Sequence, residues 1–207
     1  GTYIYIGTAG TSIYKVDPSA KTLVSTISTS VASCRYLTYD PTLDGGAGGF
    51  WTGAYGSDIT AVSLSGTTLS TITAATHGLG GVYGMAYDGL STGGPFLWAF
   101  DQGGNGADIV QLTMSGTPTG TSHDATTDLG SGGTGLAGGL FICNDFVNGK
   151  NSIIGLSQGV SLFSYELADP FSIDLAGVSV TTASFVNIGD APFTISGEVR
   201  NAGLTTI

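Results

Sequence analysis

Apolar and polar positions alternate along most of the chain with the period of β-strands. Short segments rich in Ile, Val, Thr, Tyr and Phe are separated by clusters of Gly, Asn and Asp. A period of two suits a strand with one buried face, and such clusters are typical of the turns between strands. No segment keeps the helical period over a useful length, so the sequence predicts an all-β protein.

The strand pattern repeats along the chain. Two aromatic segments end in aspartate, YLTYD at 36–40 and YGMAYD at 83–88, and each precedes a Gly-rich stretch and a Trp-containing strand. A third strand in each unit ends in Ser-Gly-Thr, and a Thr-rich strand closes the unit. Trp51 and Trp98 lie about 47 residues apart, close to the period of known β-repeat families.

A repeat of nearly 50 residues with four strands is typical of a β-propeller blade. Residues 2–28 match the last three strands of a unit, and residues 136–167 match the first three. We therefore expect β-propeller-like repeats, about 3.5 four-stranded units, in a domain spanning 1–168. A β-sandwich built from the same short strands is the alternative fold. The repetition of Trp51 and Trp98 predicts that both are buried between neighbouring units.

The segment 169–207 differs in character from the repeats. Asp169 and Pro170 mark the boundary, and apolar residues alternate with polar ones over 192–200. This pattern predicts the start of an immunoglobulin-like sandwich, a domain that needs roughly 100 residues. The second domain is therefore expected to be a partial immunoglobulin-like or CARDB-like segment.

The charge composition narrows the range of partners. Only 10% of the residues are charged, and the net charge is -10 with five Lys or Arg that do not cluster. Nucleic acid is disfavoured because phosphate binding needs clustered cations. Membrane insertion is disfavoured because no apolar run approaches roughly 18 residues. An acidic surface is compatible with divalent cations and with neutral ligands such as glycans.

Two further features bear on processing and on redox state. The chain begins at Gly1 without Met or a secretory leader, so we expect either a processed chain or a fragment. Cys34 and Cys143 allow one disulfide, or two buried free thiols, and the sequence leaves both readings open.

Three phrases resemble segments of large secreted proteins of Bacteroidota-type bacteria: THGLGGVYGMAYD at 76–88, GGPFLWAFDQG at 93–103 and GLAGGLFI at 135–142. Such proteins are exported by the type IX secretion system, and a CARDB-like or immunoglobulin-like module follows their propeller-like region. Residues 178–207 resemble the start of that module. The resemblance implies an extracellular or cell-surface location, and it carries over no catalytic residues.

Motifs that could carry catalysis are weak. Residues 155–159 match the GxSxG pattern around Ser157, but that chemistry needs a strand-to-helix elbow and a later His. Neither His77 nor His123 follows Ser157, so the motif is interpreted as a hairpin turn. The chain is therefore not expected to be an enzyme by itself.

Candidate binding residues are few. Asp101, Asn105 and Asp108 offer the hard oxygen ligands that calcium prefers, or they serve as turn formers. His77 and His123, each expected after the last strand of its unit, are weak ligand-binding candidates. Trp51 and Trp98 are weak candidates for stacking on sugars. Calcium is the one cofactor that the sequence leaves open.

These features predict an extracellular structural or adhesive surface module of a larger secreted protein, without catalytic activity. One alternative is a glycan- or calcium-binding propeller that targets an attached secreted enzyme. Another is a filament subunit completed by strand exchange. The expected partners are other surface proteins, glycans, or further copies of the chain joined by strand addition.

Overall fold

The structure, a computed structural model, describes residues 2–103, 107–129, 137–144, 146, 150–158, 161–168, 175–181 and 196–201. Within these residues the chain forms sixteen strands and three helices of four residues each. The predicted all-β class is confirmed. None of the described helices is long and apolar enough to cross a membrane.

The first two sheets are meanders in which each strand pairs with its neighbour in sequence. Sheet 1 contains β1 (Ile4–Gly7), β2 (Ser12–Asp17) and β3 (Thr22–Ser28). Sheet 2 contains β4 (Tyr36–Asp40), β5 (Gly49–Gly53), β6 (Ile59–Ser63) and β7 (Thr68–Ile72), with α1 (Leu43–Gly46) between β4 and β5.

The next two sheets have the same meander order. Sheet 3 contains β8 (Val82–Asp88), β9 (Phe96–Asp101), β10 (Asp108–Thr113) and β11 (Pro118–Asp124), with α2 (Ala74–His77) before it and α3 (Thr126–Leu129) after it. Sheet 4 contains β12 (Ala137–Cys143), β13 (Asn151–Ser157) and β14 (Ser161–Ala168). The predicted series of three, four, four and three strands is confirmed.

A separate two-stranded sheet pairs β15 (Leu175–Thr181) with β16 (Ser196–Asn201) in antiparallel register. The chain divides into two compact units, residues 1–143 with 153–165, and residues 144–152 with 166–207. β15 and β16 both belong to the second of these units. The predicted domain boundary after residue 168 and the immunoglobulin-like identity of the tail stay predictions.

Strand register shows which residues of the sheets are equivalent. Trp51 lies opposite Thr38, two residues before Asp40, and Trp98 lies opposite Ala86, two residues before Asp88. In sheet 1, Tyr5 pairs with Lys15, two residues before the end of β2, as Trp51 pairs with Ala61 two residues before the end of β6. Tyr5 therefore occupies the position of Trp51, and β1 is equivalent to β5 and β9.

Apolar cores lie between successive sheets. Trp51, Ile59 and Ile72 of sheet 2 pack with Leu97 and Leu112 of sheet 3. A second cluster joins sheets 1 and 2, and its members are Ile13, Ile27, Cys34, Phe50 and Val62. Sheet 2 thus buries one face against sheet 1 and the other against sheet 3. Both cysteines are free thiols, and Cys34 is buried in the second cluster.

The Ser-Gly-Thr turns link each sheet to the preceding one. Gly66, between β6 and β7, has φ +90°, and a Cβ there would lie 2.0 Å from the carbonyl oxygen of Ser28 at the end of β3. Gly116, in the equivalent turn of sheet 3, has φ +89°, and a Cβ there would lie equally close to the side chain of Ile72 in β7. Glycine is required at these turns both for the left-handed backbone and for the contact between sheets.

Replacing Gly116 with alanine is expected to destabilise the protein by about 2–5 kcal/mol, because it adds overpacking against Ile72 to the cost of a left-handed residue. Gly120→Ala is the matched control, since Gly120 has φ +93° but a Cβ there would have no atom within 4 Å. It should cost only about 1–2 kcal/mol from the backbone. Urea unfolding of both variants measures the difference, and equal losses would contradict the contact between sheets.

Candidate functional site

Asp40 joins the end of β4 to the tryptophan of β5. One carboxylate oxygen accepts the indole N–H of Trp51 at 3.0 Å. The other accepts the backbone N–H and the hydroxyl of Thr42, which shapes the turn that leaves the strand. Asp40 has no exposed surface, so these bonds are what satisfies a fully buried carboxylate.

The same arrangement is present in sheet 3. One oxygen of Asp88 accepts the indole N–H of Trp98 at 3.1 Å, and the other accepts the backbone N–H groups of Leu90 and Ser91. Both tryptophans are buried, as predicted from their repetition. Their ring faces are covered by protein, so neither offers a stacking surface to an external ligand in this structure.

His77 is also fully engaged inside the protein. It ends α2 and is buried, and its Nδ1 accepts the backbone N–H of Leu79 at 3.0 Å. The proton is therefore on Nε2, which donates to the carbonyl oxygen of Ser57 at 3.1 Å. A neutral ring with both nitrogens occupied fixes the loop before β8 and leaves no lone pair for a metal.

His123 does not lie at the position equivalent to His77. It lies within β11, not after the strand, and its Nε2 is 2.6 Å from a carboxylate oxygen of Asp128 in α3. This hydrogen bond is the main reason that the pKa of Asp128 is lowered. The His123 ring also packs edge-on against Tyr165 of β14, at 4.7 Å between centroids. Burial, reinforced by Asp128, raises the pKa of Tyr165 to about 12.

Two of the three predicted calcium ligands, Asp101 and Asp108, lie at one end of sheet 3. The Asp101 carboxylate accepts hydrogen bonds from the backbone N–H groups of Gly81 and Gly103. It therefore links the backbone just before β8 to the backbone just after β9. In the strand register, Asp108 of β10 lies opposite Asp101 of β9 and opposite Asp124 of β11. Burial first, and then the charges of Asp124 and Asp101, raise the pKa of Asp108.

Asn105 lies outside the described residues. In the part of the chain that the structure describes, no three His, Cys, Asp or Glu side chains come together as a metal site. Calcium binding at Asp101, Asn105 and Asp108 therefore stays a prediction.

Ser157 ends β13, and its side chain is buried. The residue that follows, Gln158, lies in a turn and donates its side-chain amide to the carbonyl oxygen of Ala137. A strand end that leads into a turn is not the strand-to-helix elbow that a serine nucleophile needs.

A groove runs along the strands that begin the sheets. β8 lies beside β4 and beside β12, and β1 also contacts β4. One pocket of this groove, about 430 Å³, is lined by the larger side chains of Tyr5, Arg35, Tyr83 and Gln158 and by the small residues Gly84, Gly138 and Gly139. We call this surface, from β1 across β4 and β8 to β12, the inner-strand groove.

One end of the inner-strand groove carries a cation among aromatic rings. The Arg35 guanidinium lies 4.7 Å above the ring of Tyr55, and Tyr55 packs edge-on against Tyr83 at 5.1 Å. Tyr55 has a left-handed backbone, φ +48°, and its carbonyl oxygen accepts the N–H of Val82. The backbone of Tyr55 is thus anchored to β8.

The other end of the inner-strand groove is aromatic and uncharged. Tyr39 of β4, Tyr87 of β8 and Phe141 of β12 line a pocket of about 210 Å³. Tyr39 and Phe141 are 53% and 51% exposed, which is unusual for large rings on the strands of a packed sheet. Burial and the nearby Asp40 carboxylate raise the pKa of Tyr87, so its hydroxyl remains a hydrogen-bond donor.

Sequence reasoning missed the inner-strand groove. The one available signal is the recurrence of tyrosine before aspartate at Tyr39 and Tyr87, which places two rings at equivalent positions. Arg35 has no counterpart in the other repeats.

No protein-family model matches the chain, and a comparison with curated proteins finds no match.

The Asp40–Trp51 hydrogen bond gives a prediction about stability. Asp40→Asn should cost about 2–3 kcal/mol, because an amide replaces a charged acceptor and can place an N–H against the indole donor. In a double-mutant cycle with Trp51→Phe, the coupling energy should be about 1–2 kcal/mol. Urea unfolding measures each term.

The control variant is Asp17→Asn. Asp17 accepts the backbone N–H groups of Ser19 and Ala20 in an exposed turn. No tryptophan is among these donors. Asp17→Asn should therefore lower the free energy of unfolding by less than about 1 kcal/mol. Additive effects of Asp40→Asn and Trp51→Phe would show that the bond is not energetically important.

Proposed function

We propose that this chain is a structural and adhesive module of a larger extracellular or cell-surface protein, without catalytic activity, that binds its partner along the inner-strand groove. The observation that carries the proposal is the row of aromatic side chains across the first strands of three consecutive sheets, Tyr39, Tyr87 and Phe141. Partly exposed rings in a preformed groove supply contact area at a low cost in conformational entropy.

The use of the other polar residues supports a non-catalytic module. Asp40, Asp88 and His77 each form internal hydrogen bonds that fix a turn or a loop, so they are already occupied. Ser157 is buried at the end of a strand. A rigid scaffold of this kind suits presentation of a binding surface, with glycans or other surface proteins as the partners.

Binding of the immobilised chain to a panel of glycans and cell-surface proteins tests the proposal. Phe141→Ala and Tyr39→Ala should weaken the interaction by about tenfold or more if each ring contributes about 1.5 kcal/mol at the contact. Leu23→Ala is the control, because Leu23 is an exposed apolar residue on β3 outside the groove. Equal effects of the three variants, or no binding to any member of the panel, would contradict the proposal.

A second candidate function is self-association into a polymer, and the outer face of sheet 1 favours it. Ile4 and Ile6 are 50% and 47% exposed. Phe50 and Leu97, which are equivalent to Ile4, are 3% and 0% exposed, and Thr52 and Ala99, which are equivalent to Ile6, are both 0% exposed. Within the described residues, β1 pairs only with β2, while β5 and β9 each have a neighbour on both sides. By analogy with sheets 2 and 3, the exposed face of sheet 1 and the unpaired edge of β1 would fit a further sheet of the same kind.

We propose a second copy of the chain as that occupant, since each copy carries such sheets. Sedimentation velocity over a range of concentrations should show association, and the double variant Ile4→Lys/Ile6→Lys should abolish it by placing two charges in the contact. Leu69→Lys, at an exposed position on β7, is the control. A single monomeric species at every concentration would rule this candidate out.

A further inference from the structure

The Arg35 end of the inner-strand groove has the features of a site for an anionic group. Arg35 lies just before β4, and its backbone N–H donates to the carbonyl oxygen of Gly53 at 3.0 Å, which anchors the residue. Its side chain is exposed and lies over the Tyr55 ring. A guanidinium over an aromatic ring gains a cation–π contact and still has N–H donors in its own plane for a ligand.

Arg35 is not neutralised by a carboxylate among the described residues. The two ion pairs recorded there are His123 with Asp128 and Lys150 with Glu166. This is notable in a chain with fifteen Asp and Glu against five Lys and Arg. A cation without an acidic partner beside a pocket of about 250 Å³, lined also by Gly7, Thr8 and Tyr83, is a candidate ligand contact.

We propose that this end of the groove binds a saccharide carrying a single carboxylate, such as a uronic acid, with the carboxylate bound in a bidentate manner by Arg35. The proposal rests on the proposed function of the inner-strand groove. Guanidinium and carboxylate match in planar geometry, and their paired hydrogen bonds are stronger than neutral ones. Tyr83, which packs against Tyr55, borders the same pocket and offers an aromatic surface to the sugar ring.

Two arguments narrow the ligand class. The net charge of -10 repels polyanions over a distance set by the ionic strength, so one carboxylate facing one arginine is favoured over a polyphosphate or nucleic acid. A peptide carboxyl terminus is characteristically captured by a nest of backbone N–H groups. Here the hydrogen-bond donor to the anion is the side chain of Arg35, which lies beside aromatic rings. This arrangement suits a sugar acid.

Titration calorimetry with an oligosaccharide that carries one uronic acid residue among neutral sugars, and with the methyl ester of that oligosaccharide, tests the proposal. The acidic oligosaccharide should bind the wild-type chain, and Arg35→Gln should weaken it by about 10- to 100-fold, the loss expected for a charged hydrogen-bonded pair. The methyl ester should bind both proteins equally and more weakly than the acid binds the wild-type chain. Arg35→Lys should restore only part of the affinity, because a lysine cannot form the bidentate pair.

Lys21→Gln is the charge-matched control, since it removes one positive charge from an exposed turn between β2 and β3. An equal loss for Lys21→Gln and Arg35→Gln would overturn the proposal in favour of general electrostatic attraction. Binding of neutral glycans that depends on Phe141, with no preference for the acid, would overturn the carboxylate site but keep the groove as a binding surface. No binding of any glycan or surface protein would overturn both. Thermal melts of each variant exclude loss of folding as the cause.

Discussion

The hydrogen bond from a buried tryptophan to a buried aspartate is the interaction on which the two complete repeats, sheets 2 and 3, depend. Asp40 and Asp88 each accept an indole N–H with one oxygen and fix the following turn with the other. One side chain thereby sets the end of the first strand and the orientation of the largest ring on the second. Because a buried carboxylate is costly without these partners, the turn, the strand end and the core form together or not at all.

This constraint also determines the groove. The aspartate closes β4 and β8 at the same point, so the residue before it, Tyr39 or Tyr87, is presented on the opposite face in both sheets. In β4 and β8 the aspartate thus lies on a buried face of the strand, and the tyrosine on the other face lines the groove. The binding surface that we propose is a consequence of how the sheets are locked and requires no additional element.

The strand series and the burial of the tryptophans could be predicted from the sequence because both follow from local alternation and from a period of about 48 residues. Whether the sheets belong to a propeller could not be established, because closure depends on contacts that spacing alone does not fix. The roles of His77 and Arg35 were not predictable for a different reason. His77 is held by Ser57, twenty residues earlier, and Arg35 meets Tyr55 only because β4 and β5 pair. Such partners become visible only when the register is known.

The close approach of Gly66 to Ser28, and of Gly116 to Ile72, couples each hairpin to the sheet that precedes it. Interactions of this kind run between nearest neighbours, as in a one-dimensional array whose members stabilise one another in sequence. Within the residues that the structure describes, sheet 1 has one such interface, with sheet 2, whereas sheets 2 and 3 each contact a sheet on both sides. Protection of amide protons from solvent exchange should therefore be graded along the chain, with sheets 2 and 3 opening together and sheet 1 opening at a lower free energy.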